Sequence, residues 1–145
     1  MNPTGFALAV LASVLWGLTY CLDERLLESM SVFKVYFLHC LCGTVVAAII
    51  LLAQGSTPLS LFTVDPARSS LPMVGVTLVT ATAAALAILS SIRLLGANTS
   101  AVLEISYPLF VALFSVLFFN GRLELPVVLG GGFIFLGAAI IAMAK

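Results

Sequence analysis

Apolar positions run together along most of this chain, and the polar positions collect between the runs. Five stretches are nearly free of charge: residues 5–22, 32–53, 71–92, 99–119 and 125–144. Each is close to the ~20 residues that carry a helix across about 30 Å of hydrocarbon. Pro72 and Pro126 stand near the first-turn position, where proline's missing N–H costs nothing, and Asn98-Thr99 reads as a cap. The links are short except Gln54 to Ser70, where Gly55, Ser56, Pro58, Pro66, Ser69 and Ser70 stop a spanning helix. Within that loop, Leu59-Ser60-Leu61-Phe62 is a short candidate for lying flat in the interface. The pattern predicts an all-α polytopic membrane protein, a five-transmembrane-helix bundle forming one domain over residues 1–145.

Composition agrees with lipid as the main solvent. Of 145 residues, 62% are hydrophobic and 8% charged, six basic and six acidic, too few to clothe a soluble core. Mean hydropathy is +1.24. The formal net charge of zero offers no basic field, so nucleic acid is excluded as a partner and the bilayer is expected instead. Cys21, Cys40 and Cys42 lie in or at the end of apolar runs and read as small apolar side chains, with no metal site and no cofactor expected. No Lys or Arg precedes the first apolar run, which leaves out the charged region of a secretory signal and predicts that the first span is retained. With one histidine and no Gly-x-Ser-x-Gly, His-Glu-x-x-His or phosphate-binding glycine loop, the chain is not expected to be an enzyme.

Five spans put the termini on opposite sides. The amino-terminal side, face A, then carries Arg68 and Arg122, and face B carries Arg25, Lys34, Arg93 and Lys145. This bias favours a cytoplasmic carboxyl terminus, and its small margin leaves insertion in both orientations open. Two oppositely inserted copies would reproduce the inverted repeats that many transporters carry in one chain.

Two ionisable groups lie well inside spans, His39 in the second and Glu104 in the fourth. Counted from face B, His39 is about seven residues deep and Glu104 about five, roughly 7–10 Å at the helical rise. An acid there is costly unless paired or hydrated. One reading makes Glu104 a proton or cation site with His39 as partner or relay. The other makes Glu104 snorkel to headgroups or tie to Lys34 or Arg93, with His39 donating to a backbone carbonyl. Trp16, Tyr20, Tyr36 and Tyr107 fall on the face B half, where they can line a solute cavity by stacking, hydroxyl donation or cation–π contact. An interfacial aromatic belt accounts equally for Tyr20 and Tyr36. Pro108 sits in span four and frees the carbonyl of Glu104 itself, a kink beside the deep acid. Span three, through Gly75 to Ala87, and span five, with Gly130-Gly131-Gly132 and Gly137, are rich in small residues that suit helix seams, including those of a dimer.

The order of several short motifs carries a resemblance. Leu15-Trp16-Gly17 lies in the first span, and Arg93-Leu94-Leu95-Gly96-Ala97-Asn98-Thr99-Ser100-Ala101 leads into the fourth. Tyr107-Pro108-Leu109-Phe110 follows within that span, then Asn120-Gly121-Arg122-Leu123 before Gly130. Together they resemble the EamA domain of the drug/metabolite transporter superfamily over essentially the whole chain. The resemblance implies a five-helix unit that in most members occurs twice, as inverted halves of a ten-helix exporter. It implies that a chain with one such unit acts as a homodimer or beside a second half, in the inner (plasma) membrane. Asn120-Gly121-Arg122 stands where the family usually shows Gly-Glu-Arg, so no role of that acid transfers. His39 occupies a place where many members have Arg, and an imidazole, unlike a guanidinium, can lose its charge.

The expected function is that of a half-transporter for a small organic metabolite or drug-like solute, working as a dimer with possible proton coupling. The alternative is a non-transporting membrane subunit that assembles with and stabilises a partner.

Overall fold

In a computed structural model the chain is all-α. The structure describes residues 2–56, 67–122 and 124–143, the side chains of 67–71 and 142 excepted. The interfacial candidate Leu59–Phe62, with Pro58, Pro66 and Lys145, lies outside the described residues, as does the side chain of Arg68. Among the described residues six helices follow in order: α1 Pro3–Ser29, α2 Val32–Ala53, α3 Ala67–Leu95, α4 Ala97–Glu104, α5 Tyr107–Phe119 and α6 Leu125–Met143. Among the described residues, four apolar segments are long enough to cross a membrane, namely α1, α2, the part of α3 from Pro72 to Leu95, and α4 with α5 taken together. The apolar α6, with 19 residues, extends about 28 Å. In hydrocarbon a backbone must satisfy its own N–H and C=O groups, and uninterrupted apolar runs do so as helices.

The chain divides into two compact units, Met1–Arg25 with Ser91–Lys145, and Leu26–Ser90. In the first, α1 lies against α4, and α6 packs on α4 and α5. Gly131 is buried where α6 meets α5, and a Cβ there would strike the Leu109 side chain. By contrast, the neighbouring Gly130 and Gly132 have open space at the same position. On α5, Phe110, Phe114 and Phe118 stack at four-residue spacing, with ring centroids 6.4 and 5.9 Å apart.

The second unit is built on the end of α1, on α2 and on α3. Ser31 caps α2 by accepting from the Lys34 N–H, and Val35 in the first turn is fully buried. At the other end Gly55 takes φ +74°, Gly55 N–H bonds to Leu52 and Ser56 N–H to Leu51, a Schellman ending that occupies the last carbonyls. Tyr36 donates to Thr82 Oγ1 at 3.1 Å, joining α2 to α3. On α3, Thr77 and Ser90 return their hydroxyls to the carbonyls of Met73 and Leu86 four residues back.

Several expected boundaries move. The first span does not end at residue 22: α1 runs to Ser29, about 40 Å, because no Gly or Pro interrupts Asp23 to Ser29. Pro72 does not start a helix but lies inside α3, which begins at Ala67 and takes up Ser69 and Ser70 from the expected loop. Asn98-Thr99 is not the cap of span four; Gly96 is, at φ +82°, a conformation L side chains rarely adopt. At the place where a kink is expected beside Pro108, the helix is interrupted at Ile105-Ser106, both residues keeping right-handed helical backbone, which separates α4 from α5 within span four. Pro108 has no N–H for the Glu104 carbonyl, and the turn closes instead through Ser106 Oγ to Leu103 O at 2.6 Å and Leu109 N to Ser106 O at 3.1 Å.

The asymmetry around the α6 glycines gives a direct check. Gly131→Val is expected to cost about 1–3 kcal/mol by overpacking against Leu109. Gly130→Ala, entering open space, is expected to leave the thermal midpoint in detergent within a degree or two of wild type. Equal effects of the two substitutions would contradict the α5–α6 seam.

Candidate functional site

Three residues of the first unit, one aromatic, one phenolic and one acidic, share a stripe of α1. Trp16, Tyr20 and Asp23 follow at four- and three-residue spacing, which places them on one helical face. Tyr20 donates its hydroxyl to Glu104 Oε2 at the last turn of α4. Trp16 meets the Tyr20 ring edge to face, with centroids 6.0 Å apart and planes at 71°. Tyr20 is 8% exposed and Asp23 only 3%. Glu24, a turn beyond Tyr20, lies at the other end of α4, where a Cβ on Gly96 would stand 3.0 Å from Glu24 Oε1. A carboxylate at that helix start meets unpaired backbone N–H groups and is favoured there. These two contacts run α1 and α4 antiparallel and fix where Glu104 emerges.

Around the α3–α4 turn, Ser91 and Ser100 share a hydroxyl hydrogen bond of 2.8 Å, and Ser100 is 1% exposed. Gly96 N–H bonds to the Ile92 carbonyl at 2.9 Å, and Ser100 N–H returns to the Gly96 carbonyl at 3.2 Å. The start of α4 is thereby held, while its end is the break at Ile105-Ser106. Glu104 therefore sits on the last residue of a short, anchored helix. Tyr107 and Pro108 stand just across the break, on α5.

The same unit leaves this cluster accessible. Glu104 is exposed, Trp16 is 61% exposed and Tyr107 59%. An exposed carboxylate inside an apolar span is at home only against water, a solute or another protein surface. The arrangement can hold a cationic group: a carboxylate supplies charge and two indole or phenol faces lie nearby.

The six sequence candidates thus separate. Glu104, Tyr20 and Trp16 come together in the first unit, with Tyr107 beyond the break. Tyr36 and His39 belong to the second; Tyr36 is engaged with Thr82, and His39 is exposed on α2. Asp23 was missed because the first span was ended at residue 22. The available signal was its spacing from Trp16 and Tyr20. Ser91 and Ser100 carry no pattern that marks them in the sequence, because their meeting depends on the turn at Gly96. Cys21, Cys40 and Cys42 are free thiols on exposed helix faces. Among the described residues no cluster of His, Cys, Asp or Glu is arranged for a metal ion.

Apolar helices of spanning length, one of them broken beside a carboxylate, define a multi-pass membrane protein with a polar group presented from within a span. The chain belongs to the EamA-like transporter family, whose sequence model matches residues 3–143. No curated protein and no solved structure matches it. Family members are membrane transporters of the drug/metabolite transporter superfamily rather than enzymes.

The Tyr20–Glu104 contact has a spectroscopic consequence. Tyr20→Phe keeps the ring against Trp16 but deletes the donor, so the infrared carboxylate band that disappears in Glu104→Gln is expected to shift in Tyr20→Phe. An unshifted band would show that this hydrogen bond does not form.

Proposed function

We infer that the chain is one five-span unit of a transporter for a small organic solute, in which Glu104 binds a cationic solute and a proton in alternation. The observation that carries this is the Glu104 carboxylate, hydrogen-bonded by Tyr20 beside Trp16 and exposed within an otherwise apolar span. Burying a charge at that depth costs about 2–3 kcal/mol on insertion scales, a cost that a structural tie at the surface would not require. Cation and proton compete for one carboxylate, so movement of one is exchanged for the other. The break at Ile105-Ser106 exposes backbone beside the acid, where discontinuous helices in transporters meet their ligands.

A second unit completes the cavity. Support comes from Gly17, Gly43, Gly75, Gly130, Gly132 and Gly137, at each of which a Cβ would meet nothing within 4 Å, so small-residue faces suited to close helix approach stand open. The partner is a second copy or another five-span chain, and the small charge bias between faces allows the inverted pairing that alternating access uses. The setting is the inner membrane with the carboxyl terminus cytoplasmic in one of the two orientations. His39 and Tyr36, on the second unit, are further solute- or proton-contacting groups in this reading.

The test is exchange in proteoliposomes holding this protein alone, with an aromatic organic cation outside and a pH dye inside. Wild type is expected to release protons against the cation, Glu104→Asp to keep part of the activity, and Glu104→Gln to lose roughly tenfold or more. Unchanged exchange and pH dependence in Glu104→Gln would overturn the role of the acid. If Glu104→Gln instead lowers assembly with a partner, and wild type moves no solute, the chain is a stabilising subunit.

A further inference from the structure

A second feature of the first unit lies on the opposite side of the break from Glu104. Between α5 and α6 runs an open groove of about 470 Å³. Its floor and walls are largely apolar, with Tyr107 at one end and Val111, Ala112 and Val127 along it; its other end carries Arg122 and Glu124. Its lining on α5 runs from Tyr107 to Ser115, a rise of about 12 Å. One leaflet of hydrocarbon is about 15 Å deep, half of the whole core. The charged end falls in the link between two spans, at headgroup level, and the apolar end reaches toward mid-membrane.

The charges at the rim are the informative part. Arg122 and Glu124 are both exposed, both line the groove, and among the described residues neither side chain carries a hydrogen bond or ion pair. A cation alone would suit any anionic headgroup. A carboxylate two residues away repels a purely anionic one and favours a headgroup that also brings a positive donor. From this complementarity we propose that the groove seats one acyl chain of a zwitterionic phospholipid with a primary-ammonium headgroup. The lipid phosphate accepts from the Arg122 guanidinium, and its ammonium donates to Glu124. Arginine presents several donors in a fixed fork that matches phosphate, and a primary ammonium has three N–H groups where a quaternary one has none. Lipid here would brace α5 against α6 on the far side of the break. The proposal does not rest on Glu104 binding a solute.

The experiment uses the purified full chain in detergent with phosphatidylethanolamine, phosphatidylcholine or phosphatidylglycerol of identical acyl chains. Retained lipid is read by native mass spectrometry, and thermal unfolding is followed alongside. Phosphatidylethanolamine is expected to bind roughly tenfold more tightly than the other two. Glu124→Gln should erase its advantage over phosphatidylcholine, Arg122→Gln should weaken all three, and Ala112→Phe, which fills the groove, should lower retention of every lipid. Equal binding of the three headgroups to wild type would overturn the proposal by itself, even if a variant fails to fold. So would a preference that survives Glu124→Gln, or substitutions that change the proportion of dimer without changing lipid retention. That last result would make the groove a contact between copies.

Discussion

Glu104 brings a carboxylate into a span that is otherwise apolar, and much of the first unit is arranged around keeping it there. Charge at that depth is tolerated when something meets it, and Tyr20 supplies a donor from the neighbouring helix. Tyr20 is in turn positioned by its place on α1 and by the edge of Trp16. Antiparallel contact of α1 and α4 follows from this hydrogen bond at one end of α4 and from Glu24 beside Gly96 at the other. One face of the carboxylate is thus committed to the protein and the other is left open.

Backbone accounting explains why the open side lies where it does. Lipid offers nothing to an unpaired peptide group, and several hydroxyls in the described spans turn back onto carbonyls of their own helix, as Ser13, Thr19, Thr77 and Ser90 do. Span four departs from this rule at one place. Pro108 cannot complete the ladder, and Ser106 closes α4 with its own hydroxyl. The ladder is interrupted next to the acid, and the chain resumes as α5 with Tyr107 facing outward. Glycine has the complementary part at Gly96, where a positive φ lets α3 turn into α4 with a single linking residue.

Much of the fold was legible because the bilayer imposes a length and a composition that few other constraints would produce. Each of the five apolar runs coincides with helix among the described residues, four of them with the length and hydropathy of a span, and the motifs from Leu15-Trp16-Gly17 to Asn120-Gly121-Arg122 pointed to the family that the chain belongs to. The charge of Glu104 marked one point of the candidate site, since an acid is exceptional in such a segment, and the proline four residues after it marked where the helix ladder is interrupted. What escaped depended on where helices end. Asp23 fell outside span one because the apolar run ends at residue 22, whereas the helix runs on to Ser29 without any break. Asn98 and Thr99 have capping chemistry, but the backbone freedom of Gly96 decided the boundary. Nothing in the sequence couples Ser91 to Ser100, or separates Tyr36, held by Thr82, from the tyrosine that reaches the acid.

The central claim is that the open face of the Glu104 cluster borders a hydrated cavity rather than lipid, and Trp16, the single tryptophan, reports on it without any substitution. The decisive measurement is quenching of its emission in reconstituted bilayers, by acrylamide from the aqueous phase and by brominated acyl chains from the hydrocarbon. Efficient quenching by acrylamide, weak quenching by brominated lipid, and protection from acrylamide by a bound organic cation are expected. Strong quenching by brominated chains with acrylamide ineffective would place Trp16 against lipid and contradict the cavity.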